Sequence, residues 1–347
     1  WESRMVQAVE GRRNGRVTIR EVAEDAGVSV AAVSKVLRDA YGVSDALRAK
    51  VRASMDKLGY RPLASARGMR GQTYTLGLVL PDLRNPFFAD IMTGVNNALE
   101  RTQYQVMMGI SASTAKLETG VVDSMIDRQM DGIILIGSTE TRESLNAIAS
   151  RKPLVIIGHH DPAAEAFDTV NNHDQQGGLL VVRHLVSAGY KNIAMFSLQS
   201  ESSSILSERE MGYRRGMVEA GLGAAINIVH SPQVMRDVQF AARRLLQGPK
   251  RPDAIFCWTD FIALEVISVA TELGLRVPQD VGIVGYDNTM YCDFAQNSLT
   301  SIDQSGELLG LQATRLVIER INGRTGVEHF VVPPRLVARR STSQTVK

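Results

Sequence analysis

Across 347 residues there are only two cysteines, Cys257 and Cys292. That is too few for a disulfide framework and fits a reducing compartment. No apolar run approaches the roughly 20 residues needed to cross a bilayer. The first residues lack the apolar core of a signal peptide, so a cytoplasmic protein without membrane partners is expected. No GxGxxG, phosphate-cradling P-loop, nucleophile elbow or HExxH occurs, which removes the commonest signatures of dinucleotide, nucleotide, acyl-transfer and zinc-protease chemistry. His159, His160 and Asp161 stand together, but adjacent histidines in a loop rarely ligate one ion. No matching Cys/His pair lies nearby, so no metal and no cofactor are expected.

What is present is ordinary for a globular chain: 44% hydrophobic and 22% charged residues, with length for two or three domains. The charge is unevenly distributed. Residues 1–72 carry 14 Lys+Arg against 8 Asp+Glu, and the remainder carries 25 against 29. A basic head on a mildly acidic body is the footprint of a nucleic-acid contact. Residues 1–16 start at Trp1, with Met5 as a candidate start, and are given no role in the fold.

Within the head, Ile19, Val22, Ala23 and Ala26 fall at helical spacing. After Gly27, Ser29 is a good N-cap, and Val30, Val33, Val36 and Leu37 form a second apolar stripe. Glycine adopts a positive φ without penalty, so a sharp turn between two helices is predicted rather than one long helix. That is the helix-turn-helix pattern, in which the second helix enters the major groove. A third helix is predicted from Asp45 to Leu58, capped by Ser44 and ended by Gly59. The second helix offers Val30, Ala31, Ser34, Lys35 and Arg38 on its outer side.

The run from Thr18 to Leu37, VS at 43–44 and LGYRP at 58–62 resemble the LacI/GalR family of bacterial transcription regulators. The resemblance implies DNA contacts from Thr18, Ser29, Val30, Ala31, Ser34, Lys35 and Arg38, with Val30 and Ala31 reading bases. Lys35 stands where the family usually has arginine. Lysine lacks the two-pronged fork that reads guanine, so discrimination there should be looser. In YRPLASARGMR, Pro62, Ala66 and Arg67 match the family's hinge helix, and Met69 occupies the position of its minor-groove wedge. Gly68 within so short a helix costs up to about 1 kcal/mol, so ordering is expected only on DNA.

From Thr75 the pattern alternates between short buried strands and amphipathic helices, with strands at 76–80, 105–110, 132–137, 154–158, 192–198, 254–258 and 281–285. So much alternation exceeds one sheet, and ligands bind at the carboxyl ends of such strands. The expected architecture is an all-α helix-turn-helix head plus an α/β body of two doubly wound parallel-sheet subdomains, similar to periplasmic binding proteins. The expected divisions are 17–61 for the head, 62–74 for the hinge and 75–340 for the body, with 341–347 as a tail. Within the body, 75–171 and 303–329 form one subdomain, and 172–302 and 330–340 the other.

The resemblance covers residues 17–340 and implies an effector site at the strand ends. PDLRNPFF supplies Phe87 and Phe88, of which one should line the cleft, after an Asn85 cap. GHHDP supplies His159. SEREMGYRRG supplies Arg209 as the residue that grips ligand hydroxyls or carboxylates. FCWTDFIAL supplies Trp258 and Thr259, the latter in place of a family Asn, with Asp260 as helix cap. VGYDN supplies Asp287, and LTSIDQ supplies Gln304. In VNNHDQQGG, His173 replaces a customary Asp. The expected function is a dimeric, or tetrameric, repressor that binds palindromic operator DNA under control of a sugar-like effector. Two alternatives use the same body: a solute receptor, and an enzyme with His159, His160 and Asp161 as its acid/base set.

Overall fold

A computed structural model describes residues 17–37, 40–61, 72–199, 203–231 and 235–343. Arg38, Arg67 and Met69, and with them the expected hinge helix, lie outside the described residues. The chain divides into two compact units, residues 1–73 and 74–347.

In the first unit, helix α1 (Ile19–Asp25) begins at a capping box in which Thr18 and Glu21 bond reciprocally to each other's backbone N–H groups. Gly27 holds φ +56°, the left-handed turn that frees α2 (Val30–Leu37) to leave at an angle. Ser29 Oγ accepts from Ala32 N at 3.1 Å, capping α2. Helix α3 (Asp45–Leu58) is capped by Ser44 and closed by Gly59 at φ +65°. Val22, Ala23, Ala26, Val33, Val36 and Val51 form the shared core. Of the two places expected for Val30, the apolar stripe and the outer side of α2, it takes the outer one: it is 41% exposed, and Val33 and Val36 fill the core against α1 and α3.

The second unit holds two six-stranded sheets. The first runs β11-β5-β4-β3-β1-β2, from β1 (Thr75–Leu80), β2 (Gln105–Ile110), β3 (Gly132–Ile136), β4 (Leu154–Ile157), β5 (Asp168–Asn172) and β11 (His329–Val332). All of its pairs are parallel. The second runs β12-β10-β9-β8-β6-β7, from β6 (Ile193–Leu198), β7 (Asn227–Ser231), β8 (Ala254–Cys257), β9 (Gly282–Asp287), β10 (Thr300–Asp303) and β12 (Arg335–Val337). Here only β12 is antiparallel. The chain passes between the sheets three times. The last passage lies at Pro333–Pro334, beyond the expected division at 329/330, because Phe330–Val332 pair with Val170–Asn172.

Two helix pairs pack backbone against backbone. Helix α4 (Phe87–Leu99) meets α11 (Gly306–Ile321) through Gly94 and Gly310. Helix α7 (Asp174–Ser187) meets α8 (Ser204–Glu219) through Gly178 and Gly212. At each of these four glycines a Cβ would overlap the partner helix's main chain. The α7–α8 approach has a chemical consequence, since it brings the first turn of one helix beside the middle of the other.

Candidate functional site

Five strands of the first sheet, β1 to β5, and four of the second, β6, β8, β9 and β10, send their carboxyl ends or following loops toward one cavity of ≈ 470 Å³. Phe87, Phe88, Ser138 and Thr139 line it on one side, and Arg209, Trp258, Thr259 and Asp287 on the other. Both phenylalanines reach the cavity, where one was expected. Their ring centroids are 6.1 Å apart, so adjacent side chains on the first turn of α4 present a broad apolar wall.

Arg209 is almost wholly buried, with 4% of its side chain exposed. Its Nε donates to Asp174 Oδ1 at 2.7 Å, Nη1 to the Trp258 carbonyl at 2.9 Å and Nη2 to Gln304 Oε1 at 3.3 Å. The guanidinium carbon sits 3.6 Å from the Tyr286 ring centroid and 4.2 Å from that of Trp258. The cation therefore stacks on two aromatic rings. Because arginine only donates, the Gln304 amide must turn its oxygen to Arg209 and its nitrogen to Asp287, 2.5 Å away. Asp287 Oδ2 in turn accepts from Asn85 Nδ2 at 2.8 Å.

The result is one chain of bonds: Asn85, Asp287, Gln304, Arg209, Asp174, His160. Its two ends, Asn85 and His160, belong to loops of the first sheet; Asp287, Arg209 and Asp174 belong to the second half. His160 Nε2 lies 2.7 Å from Asp174 Oδ2, and the His160 backbone N–H donates to Ser204 Oγ at 3.0 Å. The network thus crosses the cleft twice.

Burial pushes the Asp174 carboxyl up, but the Arg209 charge and the His160 bond outweigh it and hold the group below the usual carboxylate range. Asp287 goes the other way. Burial first, then the charge of Asp260, push it up to about 8. Its backbone also stands at φ +112°, a conformation that costs a side-chain-bearing residue on the order of 1–3 kcal/mol and recurs at binding sites.

Of the residues expected to hold an effector, Phe87, Phe88, Arg209, Trp258, Thr259, Asp287 and Gln304 all line the cavity. His159 is not among the lining residues. Its ring packs edge-on against Phe167 at 5.9 Å, and burial pushes its pKa down. Its neighbour His160 makes the cross-cleft contact instead. Asp260 does not cap its helix, α10 (Asp260–Glu272): Thr259 does, accepting from Ile262 N at 3.3 Å. Asp260 is turned inward to accept from Thr289 N and Ser301 Oγ. Asp174 and Tyr286 were missed as site residues. Asp174 stands one place after His173, which itself caps α7 by accepting from Gln176 N at 3.4 Å. His159, His160 and Asp161 diverge to Phe167, Asp174 and Arg142, so they form no acid/base set.

In the head, Thr18 at the start of α1 and Ser29, Val30, Ala31 and Lys35 on or beside α2 are exposed, and Ser34 on α2 is half-exposed. Groups of three or more His, Cys, Asp or Glu placed to hold a metal are absent among the described residues.

The chain is similar to known proteins along nearly its whole length. Residues 18–62 match the family described as bacterial regulatory proteins, lacI family, and residues 182–342 match a periplasmic binding protein-like domain. Catabolite control protein A of Priestia megaterium is 32% identical over 94% of this chain and 99% of its own. The HTH-type transcriptional repressor PurR of Photobacterium profundum is 30% identical over 93% and 98%. A solved structure of the transcriptional regulator CelR in complex with cellobiose superposes with TM-score 0.69 at 27% identity, covering 94% of this chain and all of that one.

Proposed function

The chain belongs to the lacI family of bacterial regulatory proteins, and from that premise we propose that it is a repressor of transcription whose operator affinity is set by a small polar effector in the cleft. The observation that carries this reading is the Asn85–His160 network. A ligand touching it from inside the cavity contacts both halves of the body at once. Such a ligand stabilises one closure angle over others, and only differential affinity of that kind shifts a conformational equilibrium. The head supplies the other half of the reading: a basic unit with Val30, Ala31 and Lys35 on the open side of α2.

A homodimer on a palindromic operator is favoured, since one recognition helix spans only a few base pairs. The edge strand β2 supports it, because Met107 and Met108 are each more than half exposed there, beside Ile110 and Leu117. A sugar effector is supported by the cellobiose held by the similar regulator. The relatives are transcription regulators, and the separate contacts of His160 with Asp174 and of Asp161 with Arg142 favour the regulator reading over the enzyme reading. Electrophoretic shift on a palindromic duplex tests the proposal. A dimer-sized complex is expected, with affinity falling steeply as salt rises. A monomer on a single half-site, or salt-independent binding, would contradict it.

A further inference from the structure

Three carboxyl groups, Asp174, Asp260 and Asp287, are buried on the second half's side of the cleft, each at most 4% exposed. The cation buried with them is Arg209, and it is bonded to Asp174 at 2.7 Å. Among the described residues no cation is bonded to either of the other two acids. Asp260 accepts from the Thr289 N–H at 2.7 Å and from Ser301 Oγ at 2.5 Å, and Asp287 accepts from the amides of Asn85 and Gln304. Two buried carboxylates without a cation repel each other, and the usual relief is that one of them keeps its proton.

The two differ in what happens when the halves part. Asp260 is held by its own half, from β10 and the loop after β9. Asp287 is covered from across the cleft by Asn85, in the loop after β1, at 2.8 Å. Parting the halves removes that cover and lets water reach the Asp287 carboxyl, and water favours the ionised form. With the cover in place, burial first and then the Asp260 charge push its pKa up to about 8. The other charged groups on the elements around Asp287 are paired: Asp174 with Arg209, Asp82 with Arg84, Asp303 with Arg335 and Asp293 with Arg339. His160 bonds to Asp174, and burial keeps the Tyr286 phenol and the Cys292 thiol protonated. Asp90 and Glu307 line a second groove, which does not include Asp287.

We propose that closing the cleft takes up a proton at Asp287, so that pH across the neutral range helps to set the balance between open and closed body and, through it, the response to effector. The proton comes from solvent and returns to it on opening. The link to effector response rests on the effector reading of the cleft; the proton uptake does not. Between the open-form and closed-form pKa values of Asp287 the closed form binds more protons. There the closed-to-open ratio falls by up to about tenfold per pH unit as pH rises, and above about 8 it levels off.

The chain's two tryptophans are Trp1 and Trp258, and Trp258 is half-buried in the cavity wall. With Trp1→Phe as the parent, fluorescence reports on the cleft alone. Acrylamide quenching of the full chain is followed from about pH 5.5 to about pH 9.5 at constant ionic strength, with no ligand added. Quenching of Trp258 should rise with pH through the neutral range and level off above about 8. Asp287→Asn, which has no proton to lose, should abolish the rise. Asp260→Asn, which removes the neighbouring charge, should move the levelling-off to lower pH. Quenching that is the same at every pH in the parent overturns the proposal. So does a rise that persists in folded Asp287→Asn, or one that Asp260→Asn leaves in place. The parent curve and the second variant decide even if Asp287→Asn does not fold. Because no ligand is present, failure of the effector reading would appear separately, as an operator affinity that no cleft ligand alters at any pH.

Discussion

Asp174 and His160 meet across the cleft at 2.7 Å, one at the head of a helix in the second half of the body and the other in a loop of the first. The same carboxylate holds Arg209 on its own side, so the closure contact and the cleft's main cation share a single acid.

That sharing predicts strong coupling. Arg209→Ala leaves a buried carboxylate without its cation, a loss on the order of 3–5 kcal/mol. Adding Asp174→Asn to Arg209→Ala should recover a large part, giving a coupling of a few kcal/mol in a double-mutant cycle read by denaturant unfolding. Additive effects of the two substitutions would show that the pair is not energetically linked.

Asp287 predicts a pH dependence. Its pKa in the folded chain, about 8, lies above its ordinary 3.8. Between those values the folded state binds more protons than the unfolded one, so this group's contribution to stability falls as pH rises and levels off above about 8. His159 and His184, whose pKa values burial lowers, contribute in the opposite direction as pH rises toward the ordinary histidine value. The difference between parent and Asp287→Asn isolates the carboxyl: the variant should gain on the parent steadily from pH 5 to pH 8. A constant difference would mean that Asp287 is ionised throughout.

Gly212 predicts the cost of parting two helices. A Cβ there would overlap the Gln175 main chain, one residue from Asp174. Gly212→Ala should destabilise the body by about 1–3 kcal/mol, the range for overpacking, and should also weaken ligand binding by displacing Asp174 from Arg209. Unchanged ligand affinity in a destabilised protein would separate packing from site geometry.

Much of this was legible beforehand because local chemistry and global fold agree. Gly27, Ser44 and Gly59 announce the head's turns and caps, and seven apolar runs announce strands. β5 was not legible: DTVNN is mostly polar, yet all five residues are buried. Their polar atoms are satisfied by distant groups, Asp168 by Arg320 and Arg324, and Thr169 by His329. Asn171 is held by the backbone of His159. A period-two reading has no access to partners that far along the chain. The site was half legible for a similar reason. Arg209, Asp287 and Gln304 stand in motifs, but the pairing of Arg209 with Asp174 depends on Gly178 and Gly212 bringing α7 against α8. Asp174 was hidden behind His173, which looked like a missing acid when the acid stands one place on.

Lys35 predicts a change in discrimination. Lys35→Arg restores a planar fork on the exposed side of α2 and should sharpen the choice of guanine at one position per half-site by about 1–3 kcal/mol. Competition between matched and mismatched duplexes reads this directly. An unaltered ratio would place Lys35 on the phosphate backbone.

The central claim is that this chain reads a symmetric DNA site and that the cleft governs the reading. Selection of duplexes by the full chain from a random pool, repeated with a neutral sugar that binds the cleft, measures both at once. The account predicts one enriched site with two-fold symmetry, and a change in its affinity of roughly 5–150-fold when the sugar is present. An enriched sequence without symmetry, or a symmetric site whose affinity is the same with the cleft filled and empty, would contradict it.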